Sequence, residues 1–210
     1  PLLSNVMLNE LDKKLENRGH RFVRYADDCM IFCKSRKSAE RTLKNIIPFI
    51  EKKLFLKVNR KKTEVAHIST VKYLGYSFYR HKGKCRFRVH PKSVAKMKNR
   101  IRELTDRNKG ISNEVREKKY QEYVRGWVEY FRLADMKKLL QKTDEWARRR
   151  IRAVYWKQWK KIKTKCRMLK ALGLEDWKAK ELANSRKGYW RMAKVLNQIF
   201  SNKIIAKLGY

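Results

Sequence analysis

Leu8, Leu11 and Leu15 recur at three- and four-residue spacing, which predicts an amphipathic helix; Gly19 then closes it in the left-handed conformation that glycine adopts at least cost. Two β-prone runs follow, His20 to Tyr25 and Cys29 to Cys33, joined through Ala26, Asp27 and Asp28. They predict a tight hairpin with two carboxylates at its tip. From Ser38 the positions Ala39, Leu43, Ile46, Ile47, Ile50 and Leu54 mark a second helix. Pro48 must kink or break it, because proline has no N–H and its ring clashes with the preceding turn. Short strands fit Leu56 to Val58, Glu64 to Ile68, Tyr73 to Tyr79 and Cys85 to Val89, the last two turning at Lys82, Gly83 and Lys84.

After Pro91 the period becomes purely helical. Val94, Met97, Ile101 and Leu104 form one stripe, and Gly110 with Ser112 marks a stop and a restart. A second helix carries Tyr120, Tyr123, Val124, Trp127, Val128 and Phe131, and a third carries Met136, Leu139, Leu140, Trp146, Ala147, Ile151 and Val154. These three amphipathic helices should bundle. Beyond Lys160, shorter helices are punctuated by Gly173, Gly188 and Gly209. The fold class expected is α+β, with a β-containing region over residues 1–91 and an all-α region over residues 92–210.

Charge changes this picture more than composition does. The chain holds 56 Lys+Arg against 20 Asp+Glu, a net +36, and a compact protein tolerates such self-repulsion poorly without a polyanion. Nucleic acid is the partner this implies. Residues 1–91 hold 22 basic and 8 acidic side chains, residues 92–210 hold 34 and 12, so the helical region is the more basic. With 6 Trp, 10 Tyr and 8 Phe the chain has the apolar content to fold, which a disordered basic tail lacks. No stretch approaches the roughly 18 apolar residues of a membrane span, and no apolar run near Pro1 reads as a signal peptide. A cytoplasmic or organelle-matrix location is expected, and Cys29, Cys33, Cys85 and Cys166, which lack paired CxxC spacing, are expected as reduced and mostly buried thiols.

The chemistry-bearing segment is FVRYADDCMIF, which sets adjacent acids between two hydrophobic strands. An Asp at a hairpin turn is by itself a common device. Two neighbouring carboxylates that repel each other, however, become comfortable when they share a cation, and carboxylate oxygens are the ligands hard Mg²⁺ takes. In nucleotidyl transfer two such ions, about 3.5–4 Å apart, activate the attacking hydroxyl and stabilise the leaving oxygen.

Tyr25, Ala26, Asp27 and Asp28 resemble the YxDD hallmark of reverse transcriptases, and the neighbouring blocks resemble that family in order. PLLSNVMLNELDKKLE is similar to the segment that precedes the hallmark in group II intron proteins, LKVNRKKT to the next palm block and YLGYSF to the primer grip. RIRELT, RGWVEYFRLAD, DEWARRRIRAVYWKQWK and NSRKGYW resemble the maturase-specific region of group II intron reverse transcriptase/maturases. The resemblance implies a partial reverse-transcriptase palm over 1–91 and a thumb and maturase domain over 92–210. It further implies an RNA-directed DNA polymerase with a two-metal Mg²⁺ site, partly supplied here by Asp27 and Asp28. Intron RNA, a DNA target and a primer are the partners, for splicing and for copying RNA into DNA. The family's first catalytic aspartate and its fingers lie in blocks upstream of those matched here, so a chain or segment carrying them is an expected partner, and this chain is expected to be inactive alone.

By the same resemblance Tyr25 lies at the substrate, Lys62 approaches the pyrophosphate leaving group, and Tyr73, Leu74, Gly75 and Tyr76 form the turn that presents the primer end. For Lys62 a solvated surface role competes, given so many lysines. Arg148, Arg149, Arg150 and Arg152, followed by Lys157, Lys160, Lys161, Lys163 and Lys165, crowd cations beside Trp156 and Trp159, and are expected to meet RNA phosphates. Trp127, Trp146 and Trp177 have the periodicity of core residues; Trp156, Trp159, Tyr189 and Trp190 fit packing and base stacking equally. The rival reading is a non-enzymatic RNA-binding splicing factor in which the palm remnant only supports the helical region.

Overall fold

The computed structural model describes residues 2–210. They form two compact units, one up to Arg86 and one from Phe87 to Tyr210.

In the first unit, helix α1 (Leu2–Asn17) buries Leu8, Leu11 and Leu15, the three leucines of its stripe. Gly19 follows with φ of 66°. Strands β1 (Arg21–Tyr25) and β2 (Asp28–Phe32) pair antiparallel with Phe22 opposite Ile31, and both of these side chains pack on the leucine stripe together with Ile46 and Leu54. Helix α2 (Arg36–Pro48) starts at Ser35, whose hydroxyl accepts the Ser38 N–H at 3.2 Å. Pro48 is its last α-helical residue, and Phe49–Lys53 continue as a π-helix. The missing proline N–H shifts the hydrogen-bond register without ending the rod.

Leu56 to Val58 and Glu64 to Ile68, expected as strands, are not strands. Leu56, Val58, Thr63 and Val65 still alternate with exposed neighbours, so the period-two signal was real; among the described residues no strand pairs with these segments. The run Tyr73 to Tyr79 is likewise not one strand. Tyr73 and Tyr76 bridge across a two-residue turn, and the strand β3 runs from Tyr76 to His81. β3 pairs with β4 (Lys84–Val89) across Lys82 and Gly83, whose φ angles of 48° and 77° suit a tight hairpin.

The second unit is helical. α3 (Pro91–Leu104) starts with proline at its first position and buries Met97, Ile101 and Leu104. α4 (Asn113–Tyr130) is capped by Ser112, which accepts the Val115 N–H at 3.3 Å. Between them Arg116, 1% exposed, sends Nη1 to the carbonyls of Leu104 and Asp106, each at 3.0 Å. A buried cation thus satisfies carbonyls that the end of α3 leaves open. α5 (Lys137–Gln158) is buried on several sides, at Ala147, Ile151, Arg152, Ala153, Val154 and Trp156. Around it lie α6 (Ile162–Ala171) paired with α7 (Asp176–Ala183), α8 (Tyr189–Val195) packed on α5, and α9 (Asn202–Lys207).

The end of the chain folds back on α4. The Tyr210 ring lies 5.5 Å from that of Tyr120, and Gln121 donates to the Gly209 carbonyl at 3.0 Å. Gly209 has φ of 83°, and a Cβ there would collide with the side chains of Glu117 and Gln121. Trp156 and Trp159 are buried edge to face with centroids 6.0 Å apart, while Trp127 and Trp146 are half-buried against the same core. Trp177 departs from its core expectation: it is 61% exposed, its indole N–H donating to Glu175 at 2.8 Å. α7 buries Ala179 and Ala183, and Trp177, two positions before Ala179, falls on the opposite side of the helix. The cysteines are free thiols, but none is buried; Cys29 and Cys85 are exposed, and Cys33 and Cys166 half-buried.

Candidate active-site hairpin and nucleic-acid interface

Tyr25 pairs with Asp28 and closes a turn of Ala26 and Asp27. Asp28 therefore belongs to a strand, and only Asp27 to the turn itself. Ala26 has φ of 50°, where its Cβ crowds the backbone, at a cost of about 1 kcal/mol or more. Arg24 holds this conformation. Its Nη1 donates to the Ala26 carbonyl and to Asn5 Oδ1, each at 3.0 Å, while Nε and Nη2 fork onto the Asp12 carboxylate at 2.5–3.0 Å. That hydrogen-bonded carboxylate, more than its charge alone, raises the guanidinium pKa. Ser4 Oγ in turn donates to Asp27 Oδ1 at 2.8 Å.

Helix α1 therefore steadies the carboxylate turn through Ser4, Asn5 and Asp12, none of which sequence reasoning singled out. Ser4 and Asp12 fall on the helical face of Leu8, Leu11 and Leu15. Polar residues within an apolar stripe were the available signal. Tyr73 also belongs to this neighbourhood. Its hydroxyl is buried without a hydrogen-bond partner, and its pKa is raised first by burial and then by nearby Cys29 and Asp28. Leu74 and Gly75 take φ of 49° and 83°, the paired left-handed conformation of a two-residue hairpin turn, which Gly75 accommodates freely and Leu74 at a cost. Tyr76 closes that turn, Tyr25 is 65% exposed, and Lys62 is exposed next to the turn that starts at Asn59.

Asp27 and Asp28 are exposed, adjacent and acceptor-only when ionised. In kind they fit a hard dication such as Mg²⁺. In number they fall short of a closed site, for no group of three or more His, Cys, Asp or Glu side chains suited to a metal occurs among the described residues.

The cations of the second unit divide into two sets. Arg152 is 2% exposed, its Nε donating to the Phe200 carbonyl at 2.8 Å and its Nη2 to Asn202 Oδ1 at 2.5 Å. Burial, with help from the neighbouring Arg148 cation, brings its pKa down to about 10, so it stays charged at neutral pH. Arg150 binds Thr105 Oγ1 at 2.7 Å and the Arg102 carbonyl, Arg149 the Trp190 carbonyl at 2.9 Å, and Arg148 pairs with Asp144 at 3.1 Å. These four arginines bond within the helical unit, and Arg152 presents no charge to solvent. Lys157 hydrogen-bonds Asn108, and Lys165 lies 4.6 Å over the Trp156 ring. Lys160, Lys161 and Lys163 are exposed and form no ion pair among the described residues.

An exposed hairpin with two adjacent carboxylates is thus followed in the chain by a basic helical domain. Residues 1–78 match the family described as reverse transcriptase (RNA-dependent DNA polymerase), and residues 94–173 match the group II intron, maturase-specific domain. The chain belongs to the group II intron reverse transcriptase/maturases. A search of curated proteins returned no match. Among the described residues no helix is long and apolar enough to cross a membrane.

Proposed function

We propose that the chain binds group II intron RNA through the helical unit to promote splicing, and that its hairpin contributes Asp27 and Asp28 to an RNA-directed DNA polymerase site used in intron mobility. The observation that carries this reading is the conjunction of a steadied Asp–Asp hairpin with a strongly basic helical unit in one chain. Asp27 and Asp28 would hold Mg²⁺, which when bound activates a 3′-hydroxyl and stabilises the leaving oxygen. Tyr25, Lys62 and the Tyr73–Tyr76 turn would face primer and substrate, and a further segment would supply the remaining carboxylate and the template grip. A DNA target then completes the partners.

The exposed lysines are the phosphate-binding groups, with exposed parts of Arg148, Arg149, Arg150, Lys157 and Lys165 beside them. Replacing Lys160, Lys161 and Lys163 together with Gln should flatten the salt dependence of RNA binding by about 0.7–0.9 in log–log slope for each phosphate that is no longer neutralised. Helical content should not change, because Gln is nearly as good a helix former as Lys. Filter binding over a salt series measures this, and an unchanged slope would remove these lysines from the interface. The basic helical unit, compact in itself, also fits a second reading, a splicing factor without polymerase activity. Primer extension in the presence of a complementing polymerase segment separates the two.

A further inference from the structure

Residues 185–191 lie outside both matched segments. They line an open depression of about 660 Å³ whose cations are Arg107, Arg186, Lys187 and Arg191 and whose rings are Tyr189 and Trp190. No acidic side chain lines it, and Arg186, Lys187 and Arg191 have no ion pair among the described residues. Tyr189 and Trp190 are 38% and 41% exposed, although Met192 and Ala193 in the same short helix are fully buried. The helix is anchored by those two residues, which holds the rings at the rim. Cations steady them: the Arg107 guanidinium lies 4.6 Å from the Tyr189 centroid, and that of Arg149 lies 3.9 Å from the Trp190 centroid while donating to its carbonyl.

Cations alone would suit any polyanion. Two exposed rings beside them narrow the choice, because a flat apolar face next to phosphate-binding charge matches a nucleotide. A duplex keeps its base faces inside the stack, so stacking on these rings requires an unpaired base. The volume lies within the range of about 300–1,000 Å³ usual for ligand sites, far too small for a double helix. We propose that this depression binds an unpaired nucleotide of an RNA, its base stacked on Trp190 or Tyr189 and its phosphates met by Arg186, Lys187 and Arg191. The proposal rests on the RNA-binding reading above and adds to it a site and a preference for a splayed base.

The test uses the whole chain, a short fluorescent oligoadenylate, the same strand with abasic riboses, and an RNA duplex of equal length. The chain should bind the oligoadenylate about tenfold more tightly than the abasic strand, the scale of one base–aromatic stack. Trp190→Ala, Tyr189→Ala or the double variant should remove that preference while leaving the abasic affinity in place, and Trp190→Phe should restore it. Exchanging Arg186, Lys187 and Arg191 for Gln should instead weaken both strands and flatten both salt slopes. Equal affinity for the base-bearing and abasic strands, or a preference that survives the double variant, would overturn the proposal alone as long as the duplex still binds. Failure to bind any of the three RNAs would overturn the RNA-binding reading and this proposal with it.

Discussion

Given a primed RNA template, deoxynucleotides and Mg²⁺, this chain by itself should add no nucleotide. Asp27 and Asp28 are both exposed at one hairpin, yet no further acidic or metal-binding side chain completes a group with them among the described residues. Two-metal phosphoryl transfer needs ligands enough to hold both ions about 3.5–4 Å apart. In an assembly that does extend a primer through this hairpin, Asp27→Asn or Asp28→Asn should lower the rate by at least about a thousandfold, the equivalent of the several kcal/mol a bound cation supplies. RNA binding by the same variants should be unchanged, because the exposed hairpin tip contributes no core residue. Extension by the isolated chain that disappears in Asp27→Asn would contradict the assignment of these acids as half of a site.

Arg152→Met should destabilise the helical unit by about 2–3 kcal/mol, the cost of stranding a buried polar group. Replacing a buried charge with a hydrophobe of similar length is sometimes neutral or better. Here a buried acceptor would remain, the Phe200 carbonyl bound at 2.8 Å, whereas Asn202, an exposed residue, can turn its Oδ1 to water. The desolvation of that carbonyl outweighs the gain from removing one guanidinium. Arg149→Met, whose partner is the carbonyl of an exposed residue, should cost no more than about 1 kcal/mol. Urea unfolding followed by circular dichroism compares the two. Equal midpoints would mean that Arg152 does not hold the segment around Phe200 to α5.

That contrast marks where the sequence was legible. Leu8, Leu11 and Leu15, or Met97, Ile101 and Leu104, could be read because a helical stripe needs only local spacing to declare its buried face. The adjacent acids, the hairpin around them and the register break at Pro48 are equally local. Arg152 and Arg116 could not be recognised as interior, since their acceptors come from distant carbonyls that no spacing rule identifies. The same limit applies to Leu56–Val58, where alternation was present and the partner strand was not. Trp177 shows the converse error. It had the period of a core residue, but the buried face of α7 runs through Ala179 and Ala183, on the opposite side of the helix from Trp177.

Of the candidate site residues, Asp27, Asp28 and Tyr73 are brought to one region by the fold, whereas the run from Arg148 to Lys165 separates into the buried Arg152, half-buried side chains that bond or pack within the helical unit, and the exposed Lys160, Lys161 and Lys163. Charge density in the sequence pointed to a polyanion partner, in keeping with the family to which the chain belongs. It overstated how many of those charges are free to meet one.

The most direct measurement is binding of the chain to a group II intron RNA and to an unrelated structured RNA of equal length, at near-physiological salt and across a salt series. Binding to the intron should be the tighter, with a difference that persists as salt rises and nonspecific phosphate attraction is screened. Equal affinities with equal salt slopes would contradict the maturase reading and leave only a generic polyanion binder.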